Sequence, residues 1–259
     1  MVRRFLALMA VAMLVLGACS SAASTAPALT DPKEILSKSV ASLKDVKSFH
    51  FQAEVTGQLK LDLSGKGSAA TIDLKGTTIS GDVDIANKKA HLTFAAPGLF
   101  GATGDLIVIG DTSYVKVSLL GDKYTKTVSN NTADPSASSA TDPKTIIDDV
   151  KKALDGLATA PVKLPDEKCG DQDCYHIQLT LNASDVSGAV GSVAPSGLTG
   201  SGTVDVWVQK NNLHPAKVTA SVNAGDMGTI NVTLTLSGYD QPVTIVAPPD
   251  DQVETPKPT

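Results

Sequence analysis

Three cysteines carry most of the reactive chemistry available to this chain. Cys169 and Cys174 bound the polar stretch Gly170-Asp171-Gln172-Asp173, a spacing that suits a bridged hairpin tip in an oxidising compartment. A redox pair or half of a metal site is the competing reading, but redox spacing is usually Cys-x-x-Cys and no second cysteine pair is present to complete a metal site. Cys19 follows Leu16-Gly17-Ala18, where a thiol can be thioether-linked to diacylglycerol before the preceding peptide is removed. The four histidines, His50, His91, His176 and His214, stand singly, without the close partners that metal signatures use. Gly-x-Ser-x-Gly, Gly-x-x-x-x-Gly-Lys and dinucleotide fingerprints are missing. Asp82, Asp84 and Asp105 fall on the polar side of alternating segments, as carboxylates on a solvated sheet face do. These residues give no reason to expect an enzyme, a cofactor or a bound metal.

The surroundings of Cys19 set its chemistry. Arg3 and Arg4 precede an apolar run from Phe5 to Leu16, followed by small residues, which is the order of a secretory signal. Twelve apolar residues fall short of the roughly twenty needed to cross a bilayer as a helix. With Cys19 directly after the small pair, the segment resembles the bacterial lipobox. Residues 1–18 are therefore expected to be a lipoprotein signal peptide, with Cys19 the lipid attachment site. Residues 19–30, small and polar, are expected to be a flexible stalk. The Pro- and acid-rich residues 248–259 are expected to be a disordered tail, which leaves 31–247 as a single domain. A net charge of −5, more negative once Arg3 and Arg4 leave, argues against a nucleic-acid partner, which would need a basic footprint.

Two periodicities organise the domain. Thr30-Asp31-Pro32-Lys33-Glu34 opens a helix, with Asp31 as N-cap, Pro32 at the first helical position and Glu34 placed for a capping box; Ile35, Leu36, Val40, Leu43 and Val46 mark its apolar face. From Phe49 the period becomes two, with Phe49, Phe51, Ala53 and Val55 alternating with His50, Gln52 and Glu54. Leu59, Leu61 and Leu63, then Val83 and Ile85, then Leu92 and Phe94 continue the pattern across glycine and Asn-Lys turns. Strands resume at 105–109 and 112–117. Asp142-Pro143-Lys144 announces a second helix, and further strands are predicted over 175–181, 202–209, 216–222 and 229–236, with a short helix over 184–190. The glycine-rich loop 95–104 is unusually apolar, and its Pro97, Leu99 and Phe100 are candidates for a gate or a membrane-docking surface, with a simple hairpin tip as the alternative. So many strands with only two substantial helices make either a fully packed core or a sheet with unfilled apolar volume where a hydrophobic ligand could bind.

Several landmarks, in order, carry a family resemblance. They are Ser42-Leu43-Lys44-Asp45-Val46-Lys47-Ser48-Phe49-His50-Phe51, Gly81-Asp82-Val83-Asp84, the segment Asp105-Leu106-Ile107-Val108-Ile109-Gly110-Asp111-Thr112-Ser113-Tyr114-Val115, Thr203-Val204-Asp205-Val206-Trp207-Val208, and Tyr239-Asp240-Gln241-Pro242-Val243-Thr244-Ile245. From lipobox to Pro249 the chain resembles the LppX/LprG family of envelope lipoproteins, which is similar in fold to the LolA/LolB carriers. The resemblance implies an α+β fold, a strongly curved antiparallel β-sheet or half-barrel with helices packed on its concave side around a hydrophobic cavity. It also implies a lipid-anchored carrier on the outer face of the bacterial cytoplasmic membrane, with acylated lipid or glycolipid as cargo and a membrane lipid exporter as partner. Cavity-lining candidates are the inward residues Phe49, Phe51, Leu59, Leu61, Leu63, Val83, Ile85, Leu92, Phe94, Leu106, Val108, Val204, Val206, Val208, Ile230, Val232 and Leu234, some of which must be ordinary core. The alternative is an envelope sensor or scaffold of the same fold that binds a protein partner without lipid cargo.

Overall fold

A computed structural model of the chain describes residues 28–61, 70–128, 151–152, 154, 156–182 and 200–254. Cys19, Leu63, the expected signal, most of the stalk, the expected helix at 184–190 and most of the second helix lie outside the described residues.

The first helix, α1 (Pro32–Ser42), forms for the reasons its sequence gives. The Asp31 carboxylate accepts from the Lys33 amide at 2.9 Å and Pro32 occupies the first turn. Glu34 does not close a capping box; its carboxylate pairs with Lys38 one turn on, at 2.8 Å. Ile35, Leu36 and Ser39 form the buried face, which lies against strands late in the sequence.

The strands are β1 (Ser48–Leu61), β2 (Ala70–Asp73), β3 (Thr77–Asp84), β4 (Lys89–Ala96), β5 (Ala102–Ile109), β6 (Thr112–Val117), β7 (Thr125–Val128), β8 (Val162–Cys169), β9 (Gln172–Leu181), β10 (Ser201–Gln209), β11 (Pro215–Asn223) and β12 (Gly228–Ser237). They make one open, curved sheet in the order β7-β6-β5-β4-β3-β1-β12-β11-β10-β9-β8, with β2 paired to β1. Neighbours are antiparallel throughout. Two meanders, one running from β1 to β7 and the other from β8 to β12, are thus joined by the pairing of the first strand with the last, His50 opposite Ser237 through Leu59 opposite Gly228. The helix α1 packs against β9 and β10, and there Tyr175, Ile177 and Val208 are buried.

After β12 the chain crosses the sheet. Asp240 receives the Lys47 amide, the Ser48 hydroxyl donates to the Gln241 carbonyl, and the Lys89 ammonium reaches the Ile245 carbonyl. Ile245, Ile107 and Tyr124 form a buried cluster, flanked by Ile109, Tyr114, Val243 and Val253. Pro248–Glu254, expected in a disordered tail, are part of this strap. The Tyr124 amide donates to the Gln252 carbonyl and the Glu254 amide to the Tyr124 carbonyl. A single apolar residue in the acidic stretch, Val253, supplies the packing that composition alone hides.

An apolar sheet face as the candidate functional site

Register decides which side chains share a face, because residues directly opposite in an antiparallel pair point the same way. Phe94 pairs with Ile79, Ile79 with Ala53, and Ala53 with Leu234. Leu234 pairs with Val218, Val218 with Val206, and Val206 with Ile177. This row crosses seven strands without a polar residue. A parallel row runs Val55, Val232, Ala220, Val204 and Leu179, and another joins Leu106, Leu92, Gly81, Phe51 and Leu236. Phe49, Val83, Val108 and Ile230 extend the same face. The backbone of Leu61 is in register with it, and Ile85 falls in the turn just after β3.

Burial across this face is uneven. Ile177 and Val208 are fully buried, and Leu179 nearly so, on the strands that α1 covers. Phe49, Phe51, Leu59, Val83, Ile85, Leu92, Phe94, Leu106, Val108, Val204, Val206, Ile230, Val232 and Leu234 are only half-buried. Val208 is therefore core, whereas the fourteen candidates just named keep apolar surface open. Aromatic rings sit among them: Phe49 and Phe51 have centroids 6.4 Å apart, and Phe49 lies 6.3 Å from Tyr239. Gly104 leaves room for Phe94, since a Cβ there would stand 1.9 Å from the ring. Tyr239 closes one end of the face; burial raises its phenol well above the ordinary range, and its hydroxyl donates to the Pro215 carbonyl at 2.7 Å.

The opposite face carries the buried Ile107, Tyr124 and Ile245 cluster beneath the strap and, beside it, polar chemistry that linear spacing conceals. His50 Nδ1 lies 3.0 Å from Asp82, His91 Nε2 3.1 Å from Asp105, and His176 Nε2 2.9 Å from Asp205. The signal that could have found them is sheet register, which brings residues 14 to 32 positions apart side by side. His176 also stacks on Trp207, with centroids 4.3 Å apart, and the Lys217 ammonium covers the indole at 4.5 Å. The Trp207 indole N–H donates to Glu167, the main reason that carboxylate stays easily ionised. Among the described residues no group of three or more His, Cys, Asp or Glu could hold a metal ion. A concavity of about 680 Å³ on this side is lined by Thr103, Asp105, Lys116, Ser118 and Asp122 with two glycines, and none of the cavity candidates lines it.

Cys169 and Cys174 form a disulfide across the β8–β9 turn. At the other end of the sheet, Pro97, Leu99 and Phe100 make the tight β4–β5 turn, with Leu99 37% and Phe100 85% exposed.

Comparison with known proteins places this architecture. No curated protein matches the chain significantly. Among solved structures, LprF from Mycobacterium bovis is 18% identical, with 84% of this chain and 96% of that one covered at a TM-score of 0.50, which shows a shared fold. LppX of Mycobacterium tuberculosis is 20% identical over 83% of this chain and 98% of that one, TM-score 0.49. A LolA superfamily protein from Nitrosomonas europaea is 12% identical over 88% and 99%, TM-score 0.26. The sequence profile of the LppX_LprAFG lipoproteins matches residues 31–245, the whole of the sheet together with α1, and the chain belongs to that family.

Proposed function

We propose that this protein is a non-enzymatic carrier that binds the acyl chains of a lipid or glycolipid on its apolar sheet face and holds the headgroup at the mouth. The observation that carries the reading is the unbroken apolar row from Phe94 to Ile177, half-buried over most of its length. A monomeric protein rarely leaves so much contiguous apolar surface without a ligand or partner to cover it. Binding would be mainly hydrophobic, at about 25 cal/mol per Å² of apolar surface removed from water, so selectivity for one chain over another is low. Helices packed on the concave side around a hydrophobic cavity, as the resemblance implies, belong to this same proposal. So does the envelope setting: Cys19 lipidated, residues 19–30 as tether, one domain that begins at Asp31 and includes the strap through Glu254 on the outer face of the cytoplasmic membrane, and a lipid exporter as donor or acceptor of cargo. Membership of a lipoprotein family supports it.

The direct test is a bulky wall residue. Val108 is half-buried, and its neighbours across the strands, Ala90 and Ser113, are small, so Val108→Trp can be accommodated without collapse. The variant should stay folded and lose most bound lipid, several-fold by mass spectrometry of an organic extract. A folded Val108→Trp protein with undiminished lipid would contradict the assignment of this face.

A further inference from the structure

Among the described residues, four of the eight large apolar side chains that stand exposed fall in two neighbouring turns. Leu99 and Phe100 occupy the β4–β5 turn; Leu119 and Leu120, 56% and 85% exposed, occupy the β6–β7 turn. The two turns are tied together at their bases. The Ser118 amide donates to the Thr103 carbonyl, and the Thr103 amide to the Ser118 hydroxyl, both at 2.9 Å. Each tip is also closed internally, by Gly101 N to Pro97 O at 3.0 Å and by Leu120 N to Val117 O at 2.9 Å. Phe100 holds a left-handed backbone, φ 56°, that bulky residues avoid. The ring stands 85% exposed at the tip. The polar residues Thr103, Lys116, Ser118 and Asp122, next to the tips in sequence, line a concavity. An exposed apolar patch with a polar rim is the form an interaction surface takes.

We propose that Leu99, Phe100, Leu119 and Leu120 form a docking edge that inserts into the boundary between headgroups and acyl chains of a lipid bilayer. This deepens the carrier reading and rests on its Cys19 anchor. The eleven residues from Ser20 to Thr30 reach at most about 40 Å when fully extended, so a domain tethered through Cys19 stays beside the membrane that holds it. The edge gives cargo a route between bilayer and sheet face, because Phe94 and Gly104, beside these turns, already belong to the apolar face. A short tether and two rigid apolar tips favour the bilayer over a protein partner or a second copy of the chain.

The test uses the full lipidated chain in phosphatidylethanolamine and phosphatidylglycerol vesicles, with and without brominated acyl chains. Phe100→Trp or Leu120→Trp adds emission to that of Trp207. That added emission should be blue-shifted and quenched at least two-fold by bromine, while Val128→Trp, exposed at the far end of β7, is unaffected. Water-like, unquenched emission at both tips overturns the proposal. A blue shift that needs no vesicles and grows with protein concentration also overturns it, in favour of self-association. Lipid extraction from the same samples separates the two readings: quenched tips on a chain that carries no lipid leave the docking edge standing and remove the carrier, and a lipid-loaded chain with unquenched tips does the reverse.

Discussion

Cys169 and Cys174, five positions apart, clamp the hairpin that joins β8, the last strand of the sheet on that side, to β9. Closing so short a loop in the unfolded chain is worth about 2 kcal/mol by the chain-entropy relation. Replacing both with serine should cost about that much in urea denaturation and leave lipid loading unchanged; loss of loading would mean the pair does more than staple. His214 behaves differently. Burial against Tyr239, with ring centroids 4.4 Å apart, pushes its imidazole below the usual 6.5, and the Asp240 carboxylate only partly offsets this. The fold therefore favours neutral His214. Its contribution to stability is complete above about pH 6.5 and is lost as pH falls, because the unfolded chain takes the proton first. Melting temperature should drop between pH 7.5 and 5.5, and His214→Gln should flatten that drop; an unchanged slope would assign the acid sensitivity to other groups. At this scale the cysteine pair was legible, because partners five residues apart announce themselves. The three His–Asp pairs were not, because only register makes neighbours of His91 and Asp105.

Strands of this sheet announce themselves where one side meets water and the other meets oil. β1 reads plainly for that reason: His50, Gln52 and Glu54 lie on the polar face, and Phe49, Phe51 and Ala53 on the apolar one. Edge strands escape the pattern. β8 carries Pro165 and shifts register between Leu164 and Glu167, which an edge tolerates because its outer side needs no hydrogen-bonded partner. β2 and β7 are four residues each, too short for alternation to register. Helix α1 was readable from its cap, although Glu34 spends its charge on Lys38. Between β4 and β5 the pairing depends on a missing side chain, Gly104, over which the Phe94 ring lies. Gly104→Val should displace that ring and cost about 1–3 kcal/mol, as overpacking does. Thermal denaturation measures it, and a cost under about 0.5 kcal/mol would show that Phe94 moves freely.

Across the whole molecule, the β1–β12 seam turns two meanders into one surface, and with it two half-length apolar faces into one long trough wall. No local pattern encodes that seam. It joins residues nearly two hundred positions apart, so the apolar residues of each strand were legible while the row they compose was not. Nor does alternation reveal that α1 seals only the β9–β10 end of the face, leaving the rest half-buried. The proposed carrier role rests on that uneven cover. Organic extraction followed by mass spectrometry, on the full chain purified from a host that makes envelope lipids, addresses it. A lipid on Cys19, as proposed, would be covalent and stay behind, so near-stoichiometric acylated lipid in the extract, displaced in Val108→Trp, is the expected result. An empty extract, still empty after lipids are offered to the purified protein, would contradict the carrier and leave the apolar face to a protein partner.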